Sequence, residues 1–212
     1  MGKQSIEVKN TYLDNDTVST EIFIDAVNVL LAGADSVYFF DARAIAGEKM
    51  KGYLHEIAIV NFYTKNEGKA FNEILKTQEQ SDDADLFKLA MTYGLERLVK
   101  EGIAKTCSGR FFRGTRPLSD GIYECKEGDV FKSHSFISST DEPRVADDYE
   151  DGCLVEIEAC EVYSVNLLSE YQNESEFIFQ CGIEFKIVSV EMEEGIKIVK
   201  MKQICGSSNP EY

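Results

Sequence analysis

Apolar residues in the first half of the chain recur at steps of three and four. Residues 20–31 form an apolar segment followed by Gly33, a residue suited to ending a helix. Met50, Tyr53, Leu54, Ile57 and Ala58 keep helical spacing. Ala70, Phe71, Ile74 and Leu75 do so again, after a break predicted at Asn66-Glu67-Gly68. The clearest stripe is Leu86, Phe87, Ala90, Met91, Leu95, Leu98 and Val99, with Gly102 near its end. It follows Ser81-Asp82-Asp83-Ala84-Asp85, where a cap and carboxylates complement the positive end of a helix. Val37-Tyr38-Phe39-Phe40 is too short for its period to decide between a strand and a buried turn.

The second half changes period. Short strands are predicted over 111–115, 131–138, 153–158, 176–181, 184–190 and 196–201. Glycine and aspartate punctuate them at Asp120-Gly121, Gly128-Asp129, Asp151-Gly152 and Gly195. Helices first and strands later predict an α+β fold: a helical lobe over 1–105 packed on a β-sandwich-like core over 106–204, built of two mainly antiparallel sheets. There is no internal repeat or low-complexity linker, so residues 1–212 read as a single domain.

Composition narrows the partners. The chain has 212 residues, 43% of them hydrophobic, enough to bury a core. A net charge of −16 argues against nucleic acid, because a polyanion is held by basic patches. No apolar run reaches membrane-spanning length. Glu7, Asp14 and Asp16 leave no signal-peptide core in the first twenty residues, and Ile6 stands where a myristoylation signal needs a hydroxyl. A secreted and a cytosolic location both stay open. The six cysteines lack CxxC spacing, so no metal is expected, and buried free thiols are preferred to disulfides.

Three spots carry polar residues that packing does not require. In residues 166–180, Glu174 and Glu176 stand one residue apart, on one face if the backbone is extended, with Phe177 and Phe179 on the other. Tyr171 precedes them. Arg113 interrupts an apolar strand and is followed by Gly114, which lets a ligand approach the backbone. Phe136-Ile137-Ser138-Ser139-Thr140 is a strand ending in three hydroxyls. Each has an ordinary explanation alone: a paired arginine, a capped turn, a solvated acidic loop.

Taken in order, they resemble the R-S-E class of mono-ADP-ribosyltransferases, the group of cholera-type toxins, clostridial binary toxins and vertebrate ecto-enzymes. Phe112-Arg113-Gly114-Thr115 is similar to that family's Tyr-Arg-Gly-Thr strand, and Gly128-Asp129-Val130 to the lead-in before its hydroxyl strand. Asn61-Phe62-Tyr63-Thr64 and the helix after it resemble its Tyr-Thr plus Asn-x-x-Leu segment. Ser138-Ser139-Thr140 replaces Ser-Thr-Ser and keeps the hydroxyls. The resemblance covers about residues 47–190. His134 is set aside, since Arg113 holds the position that the related His-Tyr-Glu class gives to histidine.

The resemblance implies NAD as co-substrate, no metal, and a protein bearing an accessible arginine as acceptor, modified by a monomer. It implies that Arg113, Ser138, Glu174 and Glu176 are catalytic. Arg113, Gly114, Thr115, Ser138, Ser139, Tyr149 and Glu176 would hold NAD. Arg113 would face the diphosphate, Gly114 the nicotinamide amide, and Tyr149 a ring, while Arg144 has either a phosphate or a surface role. Ser138 would fix Glu176, Glu176 would accept from the ribose hydroxyl, and Glu174 with Tyr171 would receive the acceptor. An NAD glycohydrolase and a catalytically silent binding module are the rival readings. A glycosidase is disfavoured, because carboxylates so close on one strand cannot straddle a scissile bond.

Overall fold

Two serines set the clearest helix starts. In a computed structural model, which describes residues 19–31, 37–115, 121–147, 152–169 and 175–206, Ser19 Oγ accepts from Ile22 N at 3.3 Å and Ser81 Oγ from Ala84 N at 3.3 Å. They cap α1 (Thr20–Leu30) and α5 (Asp82–Lys100). The chain divides into two compact units: Met1–Ala104 with Leu167–Glu170, and Lys105–Asn166 with Tyr171–Glu211.

The first unit is helical. Residues 37–40, undecided by period, open α2 (Val37–Ala46), whose Tyr38, Ala42 and Ala46 are buried at four-residue steps. A 3-10 turn, Lys51–Tyr53, leads into α3 (Leu54–Thr64), followed by α4 (Asn66–Thr77). The predicted break at 66–68 is a correction: those residues are helical, and only Lys65 between α3 and α4 is extended. Helix α3 is the centre of the unit, packing against α1, α2, α4 and α5. Phe62 on it lies 5.0 Å from the Tyr38 ring and 6.0 Å from those of Phe71 and Phe87. Gly68 lets α4 begin close to the end of α3: a Cβ there would lie 2.5 Å from Phe62 O and Tyr63 Cα. Sterics, not helix breaking, require glycine.

The same helix buries a charge. Glu56 is 2% exposed, and its carboxylate lies 2.9 Å from Arg97 Nη1 on α5. Burial pushes the Glu56 carboxyl above its ordinary value near 4.5, outweighing a backbone hydrogen bond and Arg97, which pull it down. A carboxyl raised by folding contributes stability fully below its unfolded value and loses that contribution as pH rises through the folded one. At neutral pH the unit therefore holds a desolvated charge that Arg97 offsets.

The second unit holds β1 (Lys105–Thr115), β2 (Val130–Lys132), β3 (Ile137–Ser139), α6 (Pro143–Asp147), β4 (Cys153–Ser164), β5 (Phe177–Phe179), β6 (Glu184–Glu193) and β7 (Ile196–Gln203). The strand order is β2-β6-β7-β4-β5-β3, with β1 also on β4. The α+β class is as the period change predicts. The sheets, however, are arms of one hydrogen-bonded network that share β4. Along one edge β4 pairs first with β7, in parallel, then with β5; β1 pairs antiparallel along it. Phe111 and Phe177, 4.7 Å apart, and Phe179 and Phe185, 5.4 Å apart, lie in its core.

Two expectations change. The strand predicted over 131–138 is two strands, β2 and β3, at opposite ends of the order. Between them Ser133 exchanges backbone hydrogen bonds with the turn at Gly182 and Ile183, which interrupts the ladder. Nor are all cysteines free thiols: Cys160 and Cys205 form a disulfide, and Cys107, Cys125, Cys153 and Cys181 are free. Parallel pairing of β4 with β7 brings those two residues, 45 apart in sequence, to a Cα–Cα distance of 6.2 Å.

Gly68→Ala is expected to destabilise the chain by about 2 kcal/mol in urea unfolding, the cost of overpacking. Helix propensity alone would favour alanine by roughly 1 kcal/mol, so a stabilised variant would show that this corner yields. Arg97→Ala is expected to cost roughly 2 kcal/mol near neutral pH, by stranding the Glu56 charge. The cost should shrink at acidic pH, as the medium approaches the raised value at which Glu56 takes up a proton. An equal loss at both pH values would mean that Arg97 does not serve Glu56.

Candidate active site

The site grows from one pair of backbone hydrogen bonds. Phe112 N donates to Thr140 O at 2.7 Å and Thr140 N to Phe112 O at 2.9 Å, holding β1 beside the end of β3. The next residue along β1 is Arg113. Its Nη1 donates to Ser138 O at 2.8 Å. Ser138 Oγ donates in turn to Glu176 Oε1 at 3.1 Å.

Strand pairing explains why these three meet. Ser138 lies opposite Ile178 in the β3–β5 pair, two residues beyond Glu176. Within β3, Ile137 and Ser139 are buried while Ser138 is half-buried, so the alternation directs Ser138 alone to the accessible side. Glu176 is half-buried just before β5, and its carbonyl accepts from Val165 N at 3.0 Å. A backbone bond and a side-chain bond thus fix it at both ends. Phe177, Ile178 and Phe179 are all buried, so β5 is covered on both faces and lacks the predicted one-sided alternation.

The remaining predicted residues differ in setting. Gly114 is half-buried and Thr115 buried at the end of β1. Ser139 is buried, and its hydroxyl donates to Phe177 O at 3.3 Å, which ties β3 to β5. Arg144 is exposed on α6. His134 is exposed, and its carbonyl accepts from Cys181 Sγ at 2.8 Å. Tyr149, Tyr171 and Glu174 lie outside the described residues. Among the described residues, no group of three or more His, Cys, Asp or Glu side chains could hold a metal ion. Among them, too, no helix is long and apolar enough to cross a membrane.

Thr140 is picked out in the sequence by its hydroxyl, but it joins the site through its backbone, and its Oγ1 accepts from Glu142 N at 3.1 Å.

The chemistry of this set suits a dinucleotide diphosphate. A guanidinium offers five donors in a planar fork, and Ser138 O takes one of them. A carboxylate oriented by a hydroxyl can accept from a sugar hydroxyl. A family model described as NAD:arginine ADP-ribosyltransferase matches residues 43–209, a span that crosses both compact units.

The chain belongs to that family.

It is an NAD-dependent mono-ADP-ribosyltransferase, and NAD is its co-substrate. The three motifs read in order resemble this family correctly. Solved structures share the fold at low identity. Exoenzyme S from Pseudomonas aeruginosa, bound to carba-NAD with human 14-3-3 protein beta, aligns at a TM-score of 0.65 and 19% identity, covering 84% of this chain and 88% of that one. The type III effector XopAI from Xanthomonas axonopodis pv. citri aligns at 0.70 and 14%, covering 96% and 94%. The Vis toxin from Vibrio splendidus, in its complex with agmatine, aligns at 0.59 and 17%, covering 93% and 91%. Among curated proteins no sequence match is found.

Proposed function

We propose that this ADP-ribosyltransferase modifies an arginine side chain of a protein, with Glu176 serving the NAD side and Glu174 the acceptor side. The observation that carries it is the hydrogen-bonded line from Arg113 through Ser138 to Glu176, with a second glutamate two residues before Glu176 in sequence. NAD supplies the ADP-ribosyl group and releases nicotinamide. Arg113, whose Nη1 donates to Ser138 O, faces the diphosphate oxygens with its guanidinium charge. Gly114, without a Cβ, leaves room for the nicotinamide amide at the backbone, Thr115 and Tyr149 complete the dinucleotide side, and Ser139, buried, supports it through its bond to Phe177 O.

Glu176 accepts from the ribose hydroxyl beside the anomeric carbon. Its fixed negative charge stabilises the positive charge that develops on the sugar as the glycosidic bond lengthens. Ser138 Oγ holds the rotamer in advance, so little reorganisation is required at that moment. Glu174 orients the acceptor guanidinium and accepts its proton, and Tyr171 contacts the protein that carries it. A Glu at 174 supports arginine as acceptor, in line with the family's description. The complex of Vis with agmatine, a free guanidine, supports the same acceptor chemistry.

Glu176→Ala is expected to abolish both NAD hydrolysis and transfer, and Glu174→Ala to abolish transfer to agmatine while leaving appreciable hydrolysis. Nicotinamide release with and without agmatine measures both. Transfer that survives Glu174→Ala would reverse the assignment of the two glutamates. Full activity of Glu176→Ala would remove the catalytic line itself. Arg113→Lys keeps the charge but loses the planar fork, and it is expected to weaken NAD binding by about tenfold. Calorimetric titration with NAD checks this, and unchanged affinity would take Arg113 away from the diphosphate.

A further inference from the structure

We infer that Gln203 is a positioning residue for Glu176, acting through a bulge in β4. The inference rests on assigning Glu176 to the ribose of NAD. Gln203 is the last residue of β7 and is 5% exposed. Its side-chain oxygen Oε1 accepts from two successive main-chain donors, Cys160 N and Glu161 N, each at 2.9 Å. Those two residues are where β4 leaves its regular pairing with β1. Ala159 lies opposite Gly109 and Val162 opposite Cys107, so Cys160 and Glu161 together face Ser108. Such a bulge leaves main-chain donors without a ladder partner. Here one amide oxygen serves both. Packing alone would accept methionine, of similar length; the oxygen is what glutamine adds.

The bulge stands between the two stretches of β4 that seat Arg113 and Glu176. Before it, residues 153–158 pair in parallel with β7, and Val155 among them lies opposite Arg113. After it, Tyr163 and Ser164 pair with Ile178 and Phe177 of β5, and Val165 N donates to Glu176 O at 3.0 Å. The pairing with β7 stops at Glu158 and that with β5 starts at Tyr163, so Gln203 holds β4 in the gap between its two partners. Without the acceptor, water could satisfy the two N–H groups but would not tie them to β7. The bulge would then be free to open or to move along the strand, and Glu176 would shift relative to Arg113. Glu176 acts as charge develops on the sugar, whereas Arg113 holds the diphosphate in the ground state as well. Loss of the acceptor should therefore lower kcat and spare the binding of NAD. Small misplacements of a reacting group can cost up to about a hundredfold in rate.

The test compares wild type, Gln203→Met, Gln203→Glu and Glu176→Ala. The Cys160–Cys205 disulfide is kept intact in all of them, since it ties the same bulge to the chain just past β7. Nicotinamide release from NAD gives the rate. Calorimetric titration with carba-NAD, a carbocyclic analogue that releases no nicotinamide, counts the binding sites and gives their affinity. For Gln203→Met the rate per binding site is expected to fall by about tenfold, with carba-NAD affinity within about twofold of wild type. Gln203→Glu keeps an accepting oxygen and is expected to stay within about threefold of the wild-type rate. A purely structural role would reduce the number of sites and leave the rate per site unchanged, and that result overturns the proposal. So does a Gln203→Glu variant as slow as Gln203→Met. If Glu176→Ala keeps full release, the assignment of Glu176 fails, and this inference with it. If Glu176→Ala loses release while Gln203→Met keeps the wild-type rate per site, only the role of Gln203 fails. Should Gln203→Met not fold, Gln203→Asn withdraws the oxygen by the length of a methylene and is read by the same two measurements.

Discussion

The candidate site depends on two backbone hydrogen bonds between Phe112 and Thr140. They set the register of β1 against the end of β3. Shifting either strand by one residue would turn Arg113 or Ser138 to the opposite face, because strand side chains alternate. With that register, a guanidinium, a hydroxyl and a carboxylate from three distant stretches share one line of hydrogen bonds. Each of the three is half-buried, where an unpaired charge would be costly, so mutual pairing is also what keeps them in place.

Helix α3 follows a different logic. It is covered on nearly every side, yet it carries Glu56 and Asn61 among its buried residues. Glu56 needs Arg97 from α5, and Asn61 takes the carbonyl of Leu168, which arrives from beyond β4. Both polar groups make long-range contacts that an apolar helix could not. The helix is thereby specified by what it must hold as well as by what it packs against.

Much of this was legible along the chain. The stripe from Leu86 to Leu98 predicts α5, with its cap at Ser81 and its acidic first turn, because amphipathic period and capping are local properties. Gly68 misleads for the opposite reason: glycine is a breaker by local propensity, while its use here is a close approach of α3 to α4. The run 131–138 misleads likewise, since the split between β2 and β3 lies in pairing with Gly182 and Ile183. Arg113, Ser138, Glu174 and Glu176 stand out in the sequence by residue type, and their order carries the family resemblance. The parts played by the neighbouring hydroxyl residues were not legible, because Thr140 works through its backbone and Ser139 through a bond to the Phe177 carbonyl.

The amino-acid sequence by itself determines the α+β class, the order of helices and strands, and the side chains available for chemistry. Periodicity, capping and residue type need no partner to be read. Tertiary structure alone decides which of these residues meet. The shared β4, the Cys160–Cys205 disulfide, the line from Arg113 to Glu176 and the bond from Asn61 to Leu168 all join residues remote along the chain. Such contacts depend on strand register and helix packing, which the whole chain sets together.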